Sequence, residues 1–262
     1  MLQKITRLAL PLLAWALAAA ACAPQSGPAA QPSPTAPTLP DGSQPASLPP
    51  EGQATAEAGT AVLPAELDLD PEDWRNWPVL PVITSRVAET YRLGRELGNN
   101  PQAFSVFGDC QSKPEVFMGV YETDPQVFAA LPPDLQETVV YFHGSFNRES
   151  PTVRDATTAG GLLWPEWHQG TYGCRADETP VDCELRIHKP SFVFINVGTH
   201  WVERNQQYLR TIIQQLLGSG VAPILVSKAD DRLQGELTNL DLAILAVEFD
   251  IPFWNFWAEA LA

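Results

Sequence analysis

Phe104-Ser105-Val106-Phe107-Gly108-Asp109-Cys110-Gln111-Ser112 is the stretch that decides how the rest of the chain is read. Its first four residues are mostly apolar and predict a short buried strand. A Gly-Asp-Cys turn follows, then polar residues. In an open α/β sheet, ligands and chemistry sit just outside the carboxyl ends of the strands. A small reactive side chain placed directly after such a strand is therefore positioned to act. The same residues also suit an ordinary strand-end turn carrying a buried, inert cysteine.

Downstream of this stretch, strands and helices alternate. Residues 191–198 are nearly continuous in apolar character, as in a parallel sheet covered on both faces. Residues 203–217 predict a helix: Tyr208, Ile212 and Leu216 fall four apart, with Leu209 and Ile213 beside them. Gly218-Ser219-Gly220 stops it. Residues 222–227 read as a third strand. Residues 235–249 read as a helix with Leu237, Leu240, Ile244 and Val247 on one face, and 251–257 as a fourth strand. Upstream, Ile83, Val87 and Tyr91 mark a helix with Pro81 near its first turn. Residues 68–81 are acidic and aromatic, and Trp74 and Trp77 are expected to lie over the core. Between 111 and 190 the pattern is less regular: 135–142 reads as a short helix, 157–167 as the opening of another, and 170–188 as an inserted loop. Strands alternating with helices through short connections predict a three-layer α/β/α sandwich with a parallel sheet.

The start of the chain is different in kind. Lys4 and Arg7 precede an apolar run that ends in small residues, the pattern of a signal peptide over 1–21. The run is too short for a comfortable membrane span. Its end, Ala19-Ala20-Ala21-Cys22, resembles a bacterial lipobox, with Ala19 where leucine is usual. The resemblance implies cleavage before Cys22 and a lipid on its sulfur, hence an exported domain anchored to the membrane; plain secretion is the alternative. Residues 22–61 are rich in Pro, Ala, Ser and Thr, have no apolar periodicity and read as a disordered tether. Residues 62–262 suffice for one domain with a full core. With 16 Lys and Arg against 31 Asp and Glu, the net charge is −15. That argues against a nucleic-acid partner, which needs clustered basic residues.

Export places the four cysteines, 22, 110, 174 and 183, in an oxidising compartment. If Cys22 carries a lipid, three remain. Cys174 and Cys183 flank a short polar loop and would pair readily, which leaves Cys110 as a free thiol. A leftover thiol in an exported protein is a candidate reactive group. The rival arrangement pairs Cys110 with Cys174 or Cys183 and makes it structural.

Three features together resemble the SGNH (GDSL-type) hydrolase superfamily: Val106-Phe107-Gly108-Asp109-Cys110 against a strand followed by Gly-Asp-Ser; Val193-Phe-Ile-Asn-Val-Gly198-Thr199-His200 against a strand followed by Gly-x-Asn; and the later order of helix, strand, helix, strand. The resemblance covers most of 104–257. It implies a flavodoxin-like parallel sheet and acyl transfer on ester or acetyl groups. The nucleophile's N–H, a Gly N–H and an Asn side chain would form the oxyanion hole. A late Asp-x-x-His pair would complete a triad. Carried onto this chain, it makes Cys110 the nucleophile and an oxyanion donor, puts His200 at the Asn position and Gly160 among the candidate Gly donors. Gly108, Asp109 and Gly198 support the motif.

The chain departs from that pattern in several places. Cys110 stands where the family has serine; a thiol serves as thiolate, although Asp109 beside it would raise its pKa. His200 can donate to an oxyanion, or act as base to Cys110, or simply open the following helix at the surface. Gly160 and Gly161 can supply an N–H or form a helix-opening turn; a register that puts Asp155 or Ala156 at the Gly position alters the hole. After 251–257 no Asp-x-x-His block is present, so the triad is incomplete in this chain, and Phe253 or Trp257 is expected to be left exposed. His143, His168 and His188 match no motif position. Neither His-x-x-x-His nor Cys-x-x-Cys occurs, so neither metal nor cofactor is expected.

Two functions follow. One is a lipid-anchored hydrolase of ester or acetyl groups, with carbohydrate as the carrier and Trp164, Trp167 and Trp201 as sugar contacts. The other is a catalytically degenerate binding module of the same fold at the cell surface. A third, thiol redox chemistry at Cys110, lacks the Cys-x-x-Cys motif of disulfide oxidoreductases.

Overall fold

Four strands form one all-parallel sheet in the spatial order β1-β2-β3-β4: β1 (Asn100–Gly108), β2 (Pro190–Asn196), β3 (Ala222–Val226) and β4 (Phe253–Trp254). The helices are α1 (Ser85–Leu97), α2 (Val120–Thr123), α3 (Pro125–Ala130), α4 (Pro133–Tyr141), α5 (Ala159–Leu162), α6 (Pro180–Ile187), α7 (Asn205–Gly218), α8 (Leu237–Phe249) and α9 (Phe256–Ala260). This computed structural model describes residues 63–64, 66–197, 204–231 and 237–260. They belong to a compact unit, Leu63–Ala262, distinct from Met1–Val62. The leader, the tether and Cys22, together with Gly198, His200 and Trp201, lie outside the described residues.

The expected alternation is what the structure has, and strand parity explains it. Phe107, Val193, Ile195, Leu225 and Phe253 point to one face and pack with Leu209, Ile212, Ile213 and Leu216 of α7 and Leu242 and Leu245 of α8 in one buried cluster. The alternate residues point to the other face, which is aromatic. Phe104 meets Phe142, Phe146 and Phe194 edge-on, and Tyr91 of α1 stacks on Phe192 at 5.7 Å. Helices on both faces make the predicted three-layer α/β sandwich. α1 ends on Gly98, whose φ of 83° is a left-handed cap open to glycine. The α1 backbone also comes very close to the α7–β3 turn: a Cβ on Gly94 would lie 2.1 Å from the Gly220 carbonyl oxygen.

Trp74 and Trp77 lie over the core as expected, and they overturn the expectation of an exposed fourth strand. Phe253 is 3% exposed, because the Trp77 and Trp74 rings pack on it at 5.0 and 6.5 Å. Asn255 ties the two segments, its amide donating to the Trp74 and Trp77 carbonyls at 3.0 and 3.1 Å. Trp257 is half-buried against Trp74. The inserted loop expected over 170–188 also needs correction, because its second half is α6. Pro180 suits the first helical position, and Thr179 and Asp182 form a reciprocal capping box. No helix among the described residues is long and apolar enough to cross a membrane.

One charged group interrupts the core face of β1. Glu184 of α6 is fully buried, accepts from Ser105 Oγ at 2.5 Å and pairs with the Arg148 guanidinium. Beside this pair, His188 Nε2 donates to the Phe104 carbonyl at 3.1 Å. Burial, and then the nearby Arg148 charge, lower the His188 pKa below its ordinary value.

Candidate functional site

At Gly108 strand β1 ends and the chain turns sharply. Asp109 stabilises the turn Cys110–Ser112 as its cap, Oδ1 accepting from the Gln111 N–H at 3.1 Å. Glycine is required at 108 for space: a Cβ there would lie 1.9 Å from Ser112 Oγ. On the outer edge of β1, Val153 makes a parallel bridge to Gly108. The Gly108 N–H donates to the Thr152 carbonyl at 3.0 Å, and the Arg154 N–H to the Gly108 carbonyl at 3.3 Å. The loop after Val153 is thereby held beside the Cys110 turn. Lys113 Nζ bridges the two loops to Asp155 at 3.0 Å, and that hydrogen bond raises the Lys113 pKa. In this loop Ala156 has φ 62°, a left-handed conformation that favours glycine. Of the residues weighed for the Gly position, Ala156 is the one with glycine-like backbone.

Gly160 and Gly161 lie elsewhere, in the first turn of α5. The Gly161 N–H is already taken by the Thr158 hydroxyl at 3.0 Å. Gly160 is a packing glycine, where a Cβ would come within 3.2 Å of the Tyr208 ring. Cys174 and Cys183 form a disulfide, with Cα atoms 5.2 Å apart. Beside it, Arg186 holds the Glu178 carboxyl down to about 2.

The expectation of a free thiol at Cys110 is corrected. Cys110 is disulfide-bonded, and no described cysteine is free. A sulfur held in a disulfide is not the thiolate that nucleophilic attack requires. The reasoning failed in its counting: it took Cys22 as spoken for by a lipid and left Cys110 as the remainder. Within one chain, a thioether on Cys22 and a disulfide at Cys110 exclude one another, because Cys174 and Cys183 use the other sulfurs.

The main group that sequence reasoning missed is Lys228. It follows β3 and is fully buried, and its Nζ donates to Asp109 Oδ2 at 2.7 Å. Asp109 is 1% exposed. A buried ion pair thus crosses from the end of β1 to the end of β3, and the Asp109 charge is balanced by Lys228 instead of bearing on Cys110 alone. The Lys228 backbone is fixed by Asn239, whose amide exchanges hydrogen bonds of 2.7 and 2.9 Å with it. Asp230 Oδ1 lies 4.0 Å from Lys228 Nζ. Ser227 Oγ accepts from the Trp257 N–H at 2.8 Å and links the β3 end to α9. The one available signal was a Lys placed between a strand end and Asp230-Asp231, a pattern that suits a solvated loop equally well.

On the surface near the Val153 loop, the Arg154 guanidinium lies 5.4 Å from the Trp167 ring centre, and Trp164 is 54% exposed. Trp167 itself packs on Gly161. His168 is buried, accepting from the Gly170 N–H at 2.9 Å and donating to the Glu178 carbonyl at 3.0 Å, which makes it structural. His143 is exposed. Among the described residues no cluster of three His, Cys, Asp or Glu side chains is placed to hold a metal. In comparisons with known proteins, no family model matches this chain and no curated protein matches it.

Proposed function

We propose that this protein is an exported, surface-held module of the SGNH-hydrolase type that binds an ester- or acetyl-bearing ligand at the carboxyl edge of its sheet without turning it over. The disulfide at Cys110 carries the reading. The residue in the nucleophile position is not a thiolate, and the neighbouring charges, Asp109 and Lys228, are spent on each other. Two features support a retained site: the Gly108-Asp109-Cys110 turn stands at the strand end where α/β folds place ligands, and Ala156 takes a glycine-like conformation in the loop held next to it. Export and surface attachment rest on the leader, the tether and Cys22.

The test is a pair of measurements on the oxidised protein. Binding of triacetin and of an acetylated xylo-oligosaccharide is followed by calorimetry, and hydrolysis of p-nitrophenyl acetate by absorbance. Binding without turnover is expected. Multiple turnover by the protein with its disulfides intact would refute the module reading and restore acyl transfer, with His200 as the first residue to substitute.

A further inference from the structure

Buried polar side-chain atoms in folded proteins nearly always have a hydrogen-bond partner. At the carboxyl edge of this sheet Ser112 Oγ, Asn196 Oδ1 and Asp230 Oδ1 have none. Ser112 and Asn196 are 3% and 5% exposed, and they are neighbours. Gly108 pairs with Asn196 across β1 and β2. The point where Gly108 would carry a Cβ is 1.9 Å from Ser112 Oγ and 3.3 Å from the Asn196 carbonyl oxygen. Asp230 belongs to the same edge through Lys228, 4.0 Å away. Lys228 is an ammonium with three N–H groups, of which the Asp109 bond uses one.

We propose that Ser112, Asn196, Asp230 and Lys228 form a subsite for a neutral, hydroxyl-rich ligand, the polyol part of a sugar; this rests on the ligand-binding reading above and specifies its chemistry. The donor and acceptor inventory decides the class. Asn196 Oδ1 and Asp230 Oδ1 only accept, so an anion such as phosphate leaves both unmet and adds repulsion at Asp230. A cation satisfies them but offers nothing to the Lys228 N–H groups and meets a buried ammonium. A hydroxyl both donates and accepts, so adjacent hydroxyls match the mixed set. Size agrees at Ser112: the cavity it lines with Ser145, Ser150 and Arg148 has a volume of ≈ 10 Å³, about the room of one water-sized group.

The experiment uses the full mature chain, oxidised, with D-xylose, D-glucose and myo-inositol as probes. Sodium phosphate and tetramethylammonium chloride are the charged controls, and triacetin reports on the ester reading. Calorimetry is run on the wild type, on Ser112→Ala and on Asn196→Ala, each checked for folding by circular dichroism. The Ser112 variant removes only the orphaned oxygen and keeps the inference testable should Asn196→Ala unfold. At least one polyol is expected to bind, with affinity falling about tenfold in either variant, the worth of one hydrogen bond. Phosphate or tetramethylammonium binding in place of polyol would overturn the assignment. So would polyol affinity indifferent to both substitutions, or no polyol binding at all, in which case ordered water is the occupant. Triacetin binding without polyol binding rejects this inference and leaves the module reading standing; binding of neither rejects both.

Discussion

Removing one partner of the Asp109–Lys228 pair should be among the most damaging single changes in the domain. The two charges are 2.7 Å apart and 1% and 0% exposed on their side chains. With an effective dielectric of about 20, their attraction is about 6 kcal/mol, set against a desolvation cost of several kcal/mol per ion. The net worth of the intact pair is therefore small, but a lone survivor keeps its desolvation cost and loses its partner. Lys228→Met should cost about 3–5 kcal/mol, the usual range for stranding a buried charge, and a large part of a typical total stability of about 5–15 kcal/mol. Asp109→Asn should cost a similar amount while keeping an oxygen to cap the Gln111 N–H. The double variant Asp109→Asn, Lys228→Met strands neither charge and should be less damaged than the two losses added. Urea unfolding followed by circular dichroism, taken through a double-mutant cycle, gives the coupling. Single variants that each lose under about 1 kcal/mol, or losses that simply add, would refute the buried pair.

Four further outcomes are expected. Gly94→Ala should destabilise by about 1–3 kcal/mol, because its new methyl would lie 2.1 Å from the Gly220 carbonyl oxygen and push α1 off the sheet; a variant as stable as wild type in urea would show that the contact is loose. Folding lowers the His188 pKa, so the unfolded chain takes up the proton first on acidification. The stability His188 contributes is complete above its ordinary pKa and is lost as pH falls through that value toward the folded one; His188→Gln should flatten the drop between pH 7.5 and 5.5, and an unchanged slope counts against it. Non-reducing peptide mapping after alkylation should recover Cys174 joined to Cys183 and Cys110 unalkylated; alkylated Cys110 would reopen acyl transfer. If Cys22 carries the membrane anchor, Cys22→Ser should release the protein on fractionation, and retention on membranes would dismiss the lipid.

The sheet was legible because its signal is local and repeated. Phe192, Val193, Phe194 and Ile195 are apolar on both strand faces, and that burial needs no knowledge of partners. The helices followed from the same one-body preference, with Leu209, Ile212, Ile213 and Leu216 sharing a face of α7. The mixed stretch 170–188 failed for the opposite reason. Its polar loop and cysteines outweighed the capping box that starts α6, a pattern of Thr179, Pro180 and Asp182 that sequence alone could have flagged. The exposed-edge expectation at Phe253 failed because the cover comes from Trp74 and Trp77, about 180 residues earlier, and no downstream pattern announces it.

The site was half legible for a geometric reason. Cys110 could be placed because its strand precedes it directly. Lys228 could not, because its meaning depends on two strand pairings at once. Gly108 is in register with Asn196, and Ile195 with Leu225, so the ends of β1, β2 and β3 lie level. Asp109 and Lys228 leave strands that are not neighbours, with β2 between them. Strands about 4.8 Å apart put the two ends roughly 10 Å from each other, a gap that a carboxylate closes only with a long side chain opposite. Lysine's four-carbon stem spans it and delivers the ammonium within 2.7 Å, across a sequence separation of 119 residues. A shorter cation would leave both charges buried and apart, and arginine would bring a planar fork where one point contact is made. The residue type at 228 is thus set by the width of the intervening strand, a quantity that exists only once the sheet has formed.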